Sequence, residues 1–199
     1  DFVETPVQAI TGAIELFEFS CFVADSIGAN RIMPNTFSQQ IHLQDDGKGL
    51  VIKRGFTDAQ LKAYAQNLGF LAFASTAPAT DNAMNIVSVQ EPDDTSDLGS
   101  ARAILYQIRC AFAHDFLAPI WNTKSKYKHT YRVTVNVPRG LDGTTARTIE
   151  IHPPSLGGKP LSFADFGNLG GYLALLLYCL DKVQSDPKGK MPYPPPVED

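Results

Sequence analysis

The chain has 199 residues, of which 44% are hydrophobic and 19% charged, and a formal net charge of −4. That balance excludes a disordered chain and fits one globular domain with a sizeable core. The apolar stretch around Leu173 to Leu180 is far short of the ~20 residues that span a bilayer, and no basic leader with a cleavage site opens the sequence, so the expectation is a cytoplasmic protein with no membrane partner.

In chain order, the first helix is expected from about Thr5 to Gly28. Ile10, Ile14, Phe17, Cys21 and Ala24 recur at the three- and four-residue spacing of a core-facing stripe. Leu16, Phe19, Phe22 and Val23 widen that stripe and predict a helix covered on two sides, at the centre of a bundle. From Gln40 to Lys53, Ile41 and Leu43 face Leu50 and Ile52 across Asp45-Asp46-Gly47-Lys48-Gly49, a β-hairpin signal. A second helix starts at Thr57, where Gln60 has capping-box spacing and Phe56 with Leu61 fits a hydrophobic staple. It is expected to end near Ser75, with residues 76–96 as a loop.

The third helix is expected from about Asp97 to Phe116, with Leu98, Ala101, Leu105, Ile108 and Phe112 on one face and Pro119 beyond its end. Tyr131 to Val137 and Arg147 to His152 read as a second hairpin, joined through Pro138-Arg139-Gly140-Leu141-Asp142-Gly143. A fourth helix is expected from Ser162 and Asp165, which have capping spacing, through Leu169, Leu173, Leu176, Leu180 and Val183. Residues 1–185 then form one domain, and 186–199, with Pro194-Pro195-Pro196, a flexible proline-rich tail. The expected class is mainly α, four helices with two short β-hairpins.

Chemistry-bearing patterns are few. Cys21, Cys110 and Cys179 are odd in number and lack a C-x-x-C pair, so reduced, buried thiols are expected. His42, His114, His129 and His152 show no metal-ligand spacing, and no metal or cofactor is expected. The glycines at 167, 170 and 171 match no nucleotide-binding fingerprint and read instead as sites of close packing, and no G-x-S-x-G elbow is present.

Charge is distributed unevenly. Residues 101–139 hold seven Arg or Lys against the single acid Asp115, a net +6 that leaves −10 for the remainder. Trp121, Tyr127 and Tyr131 interleave with Lys124, Lys126, Lys128, His129 and Arg132. Rings beside phosphate-attracting charges are what single-stranded nucleic acid requires, so Lys124, Lys126, Lys128, Arg132, Trp121 and Tyr127 are candidate RNA contacts. The competing reading is a solvated lysine face.

Arg109 and His114 lie five positions apart, with four residues between them, toward the end of the third helix. The stretch Ile108-Arg109-Cys110-Ala111-Phe112-Ala113-His114-Asp115, followed by Pro119 and Trp121, resembles the Arg-x4-His signature of HEPN-family ribonucleases, which carry it on a helix of a small four-helix bundle. The resemblance implies metal-independent endoribonuclease activity by 2′-hydroxyl attack, in toxin–antitoxin or phage-defence settings, with a cognate antitoxin as a partner. Arg109 and His114 would be the catalytic pair, with Tyr106 or Asp115 as auxiliaries. A histidine titrating near neutrality can move protons, and an arginine can hold a phosphate by paired hydrogen bonds. The position after the Arg is commonly polar in active members; Cys110 departs from that, which keeps open a non-catalytic module binding RNA, a nucleotide or a protein. A third reading makes Arg109 and His114 braces within the bundle. On an ideal helix five positions turn by about 500°, leaving the two side chains roughly 140° apart. Either the helix loosens before Pro119 or a second subunit supplies part of the site; family members, in which two motifs meet in a dimer cleft, resemble the second case, and a homodimer is expected.

Overall fold

Thr5 opens the first helix, α1 (Pro6–Gly28): its hydroxyl accepts from the Gln8 N–H while the Gln8 side chain accepts from the Thr5 N–H, a closed capping box with Pro6 in the first turn. The computed structural model describes residues 5–36, 40–45, 48–53, 55–113, 115, 118–136 and 146–193, with backbone alone over 40–53. The protein is mainly helical, and among the described residues it has two separate two-stranded antiparallel sheets. The first sheet is the expected hairpin, β1 (Gln40–Asp45) against β2 (Lys48–Lys53).

Ile10, Ile14 and Phe17 of α1 are buried, but Leu16, Phe19 and Phe22 lie in solvent. The helix is therefore covered on one side, against α2 and α5, and the expectation of a central, doubly covered helix is corrected. Among the described residues this helix, rather than residues 173–180, is the one long and apolar enough by length and composition to cross a membrane, with mean hydropathy 1.4 over its best window.

The second helix, α2 (Asp58–Val87), starts as expected, with Thr57 and Gln60 forming a second capping box. It does not stop at Ser75. It continues for 12 more residues, through Pro78, because Ala77, Thr80, Asp81, Ala83 and Met84 are buried. Proline at this position removes the N–H that Ala74 C=O would receive. The burial on its far side outweighs that loss, and the supposed loop 76–96 shrinks to residues 88–96.

Ser96 caps α3 (Asp97–Phe112), its hydroxyl accepting from Gly99 N–H at 3.1 Å. Strands β3 (Tyr131–Asn136) and β4 (Ala146–Ile151) pair antiparallel with Val133 opposite Ile149. Tyr131, Val133 and Val135 alternate into the core. A four-residue helix, α4 (Pro153–Leu156), follows.

The Ser162–Asp165 capping box is present but caps only a 3-10 turn, Phe163–Phe166. Gly167 (φ +82) and Asn168 (φ +65) then reset the backbone, and the last long helix, α5, runs Asn168–Ser185. A Cβ at Gly171 would stand 2.2 Å from the Phe166 carbonyl oxygen, so this glycine does permit close packing. The chain does not become extended at Asp186: Pro187–Lys190 forms a capped 3-10 turn, with Gly189 pressed against Val183. Residues 194–199, including the proline triplet, lie outside the described residues.

Phe73 of α2 centres the core. Its ring lies 4.3 Å from Tyr172, 4.6 Å from Phe163 and 4.9 Å from Phe112, centroid to centroid, and so ties α2, α3, the 3-10 turn and α5 together. A smaller cluster of Ile27, Leu61 and Ala65 closes one end of the α1–α2 contact.

Candidate functional site at the α2–α3 interface

α3 is nearly engulfed. From Gly99 to Phe112 every residue is buried except Tyr106, Arg109 and Cys110, and Ala113 just beyond continues the same exposed stripe. The spacing is three, one and three residues, one face of a helix. Arg109 therefore sits on the one strip through which this helix meets solvent.

Its guanidinium is held from beneath. Nη1 donates to Asp81 Oδ2 at 3.0 Å, and Asp81, in the second half of α2, is 1% exposed. Asp81 has a second cationic partner in Arg102, two turns before Arg109 on α3. Arg102 is also 1% exposed; it lies 3.5 Å from Asp81 Oδ1, donates to the Asp81 carbonyl oxygen at 3.3 Å and donates to Asn85 Oδ1. Burial pulls Arg102 below the ordinary arginine range, and the Asp81 carboxylate opposes that shift.

The two arginines differ in what they face. Arg102 is sealed in and neutralises Asp81. Arg109 keeps 46% of its side chain exposed and is a second cation on a carboxylate already paired. The group of three carries a formal +1 with its open end at Arg109. Beside it lies an open groove of about 420 Å³ lined by Leu71, Ala74, Ser75 and Pro78 of α2 and by Arg109, Phe112 and Ala113. A cation at the edge of a mostly apolar groove suits an anion carrying an apolar or aromatic appendage.

Of the residues singled out in the sequence, His114 lies outside the described residues. α3 ends at Phe112, with Ala113 as its cap, short of the expected Phe116. The 140° separation assumed a helix continuous through His114, so that premise for a two-chain site is removed. Asp115 Oδ1 accepts from Ala118 N–H at 3.0 Å. Tyr106 is half-buried, stacked on Tyr127 with centroids 5.2 Å apart, and burial raises its phenol above the usual value.

The aromatic part of the RNA surface is corrected. Trp121 is 1% exposed, its indole N–H donating to Asp165 Oδ2 at 2.8 Å, and Tyr127 is buried between Tyr106 and Tyr131. Neither offers a ring face to a base. The basic part contracts as well: Arg102 is internal, and Arg132 donates from Nε to Glu150 at 2.6 Å. His129 pairs with Asp93. Lys124, Lys126 and Lys128 are exposed, with Lys126 Nζ 5.5 Å from the Tyr127 centroid and 5.9 Å from that of Tyr106. Lys126 thus stands at the end of the stripe that leads to Arg109.

The cysteines also differ from expectation. Cys179 is fully buried, and burial pushes its thiol up to about 12, whereas Cys21 and Cys110 are half-buried. Sequence reasoning missed Asp81 and Arg102. The available signal was the spacing of Phe73, Ala77, Thr80 and Met84, which carries the helical period past Pro78 and places Asp81 beside the buried face. No family model matches the chain, and no curated protein or solved structure matches it either.

Proposed function

We propose that this chain is a HEPN-like endoribonuclease whose four long helices form the family's bundle and whose active centre is Arg109 with His114. The observation that carries the reading is the half-exposed guanidinium of Arg109 at a groove, in a charge group with one uncompensated positive charge. A purely bracing role is already filled by Arg102, which makes three contacts with α2 from a sealed position. Arg109 bonds the same carboxylate through Nη1 and retains its other nitrogens as donors for a ligand.

In this reading a phosphodiester lies against Arg109, which stabilises charge on the non-bridging oxygens. The 2′-hydroxyl attacks phosphorus and gives up its proton to a base. The P–O5′ bond breaks, the 5′-oxygen is protonated as it leaves, and a 2′,3′-cyclic phosphate remains. His114 is the titratable group that the resemblance supplies for these proton transfers. Lys124, Lys126 and Lys128 draw the polyanion toward the stripe. The reading includes a homodimer, a cognate antitoxin and a cytoplasmic setting, as the resemblance and the sequence imply.

The test is incubation of the purified protein with mixed RNA in EDTA, followed by end-group analysis. Cyclic phosphate termini that vanish with His114→Ala and fall sharply with Arg109→Lys support the assignment, because a lysine keeps the charge but not the planar fork. Intact RNA, or cleavage indifferent to both substitutions, removes it. Exchanging Lys124, Lys126 and Lys128 for Gln should flatten the salt dependence of RNA binding, and an unchanged slope would retire the lysine surface.

A second reading, a non-catalytic module for RNA, a nucleotide or a protein, is favoured by Cys110 after Arg109 and by the apolar lining of the groove. It predicts binding that depends on Arg109 without any cleavage.

A further inference from the structure

The three buried and half-buried charges are arranged in an order that matters. Asp81 presents Oδ1 inward to Arg102 and Oδ2 outward to Arg109. Arg102, sealed at 1% exposure, cannot reach a ligand. It takes one carboxylate oxygen, the Asp81 carbonyl and the Asn85 side chain, so both ends of its contact lie on α2. Arg102 thus holds Asp81 by a hydrogen bond to its backbone carbonyl and, at 3.5 Å, by charge alone at Oδ1, which accepts no hydrogen bond among the described residues.

We propose that Asp81, locked by Arg102, is a positioning residue that aims the Arg109 guanidinium at the α2–α3 groove. This rests on the reading of Arg109 as the phosphate-holding group. A free arginine side chain loses several rotors when it grips a phosphate in the planar, two-pronged geometry that makes it effective. Here Nη1 is already held by Oδ2 at 3.0 Å, which restricts the guanidinium and leaves its other nitrogens as donors for a ligand. The internal charge of Asp81 is cancelled by Arg102, so pinning Arg109 does not cost it its attraction for an anion. A single Asp–Arg pair would position Arg109 but neutralise it; the second, buried arginine is what allows both.

The decisive variant is the double replacement Asp81→Asn with Arg102→Met. It removes the brace and both buried charges together, leaving no unpaired ion inside, and Asn85 is exposed and finds water in place of Arg102. The formal charge of the group stays at +1, because a carboxylate and a guanidinium leave together. An effect of electrostatic attraction alone is therefore held constant. With RNA as substrate, kcat should fall about 10- to 100-fold, the scale of a misplacement near 1 Å, while KM and its salt slope hold. An unchanged kcat overturns the proposal. A fall in kcat that disappears once the rate is divided by the folded fraction, measured by circular dichroism of the same sample, would mark a merely structural role and overturn it too. If the double variant does not fold, Asp81→Glu, which keeps the charge but displaces it by a methylene, is read the same way.

Nuclear magnetic resonance of the wild-type guanidinium groups separates this idea from the reading on which it rests. A pinned Arg109 shows distinct, slowly exchanging Nη signals, identified by their loss in Arg109→Lys. A single averaged signal in the wild type overturns the brace whether or not RNA is cleaved. Distinct signals in a protein that cleaves no RNA would uphold the brace and remove the ribonuclease assignment.

Discussion

A carboxylate 1% exposed in the middle of a helix persists only if its charge is met, and Asp81 is met twice. The two partners should not be worth the same. Asp81→Ala strands Arg102 in the interior, and Arg102→Ala opens a void and leaves Asp81 leaning on a half-exposed partner, so each should lower stability by about 3–5 kcal/mol. Arg109→Ala takes the hydrogen bond from Asp81 Oδ2 but leaves the Arg102 charge in place, so a smaller loss of about 1–3 kcal/mol is expected. Urea denaturation of the three variants measures this order, and an Arg109 variant as destabilised as the Arg102 variant would show that Arg109 is structural. None of this could be read from Arg102 or Asp81 singly. Each is one polar letter in an amphipathic pattern, and only the crossing of α2 over α3 brings them within 3.5 Å.

At the scale of elements, the start of α2 was legible from its capping residues, and the structure adds a second box at the start of α1, because capping is local chemistry. Thr5 with Gln8 and Thr57 with Gln60 satisfy each other's backbone groups across three residues. The ends were less so. Pro78 and the polar stretch around it argue for a break at the level of propensity, and α2 overrides them because it buries Ala77, Ala83 and Met84 on the far side. The Ser162–Asp165 box marks a start, but Gly167 and Asn168 in the left-handed region limit it to a single 3-10 turn.

The two clusters that α2 helps to build should also differ in weight. Leu61 fills a satellite cluster with Ile27 and Ala65, so Leu61→Ala belongs near the lower end of the range for buried leucine, about 2 kcal/mol. Phe73→Ala removes the ring that Tyr172, Phe112, Phe163 and Phe166 share and should cost about 4–5 kcal/mol. Thermal melts of the pair test it, and equal losses would mean that the satellite is part of the main core.

For the whole molecule, burial sets the response to alkali. The phenols of Tyr127, Tyr131, Tyr172 and Tyr178 are all raised by burial, and the Cys179 thiol is pushed up to about 12 from an ordinary 9.0. The unfolded chain releases these protons near pH 9 to 10, where the folded chain still holds them. Their contribution is therefore complete below the unfolded values and lost as pH rises through them toward the folded ones. Tm should hold to about pH 9 and fall steadily by pH 11; a flat profile would show that these groups titrate in the native state. At pH 8 an aromatic disulfide reagent should reach Cys21 and Cys110 and leave Cys179 untouched until the protein unfolds.

The sequence by itself determined the mainly helical class, the starts of α1, α2 and α3 and both hairpins, because each rests on groups close together along the chain. The tertiary structure alone decided that α2 passes through Pro78, that Trp121 and Tyr127 are core rather than surface, and that the exposed Arg132 pairs with Glu150 across the β3–β4 ladder. It also decided that Arg109 stands on a buried carboxylate. The reason is common to all four. Burial and charge pairing are properties of residues distant in sequence, and whether a side chain is presented to solvent or consumed inside depends on what the rest of the chain lays against it.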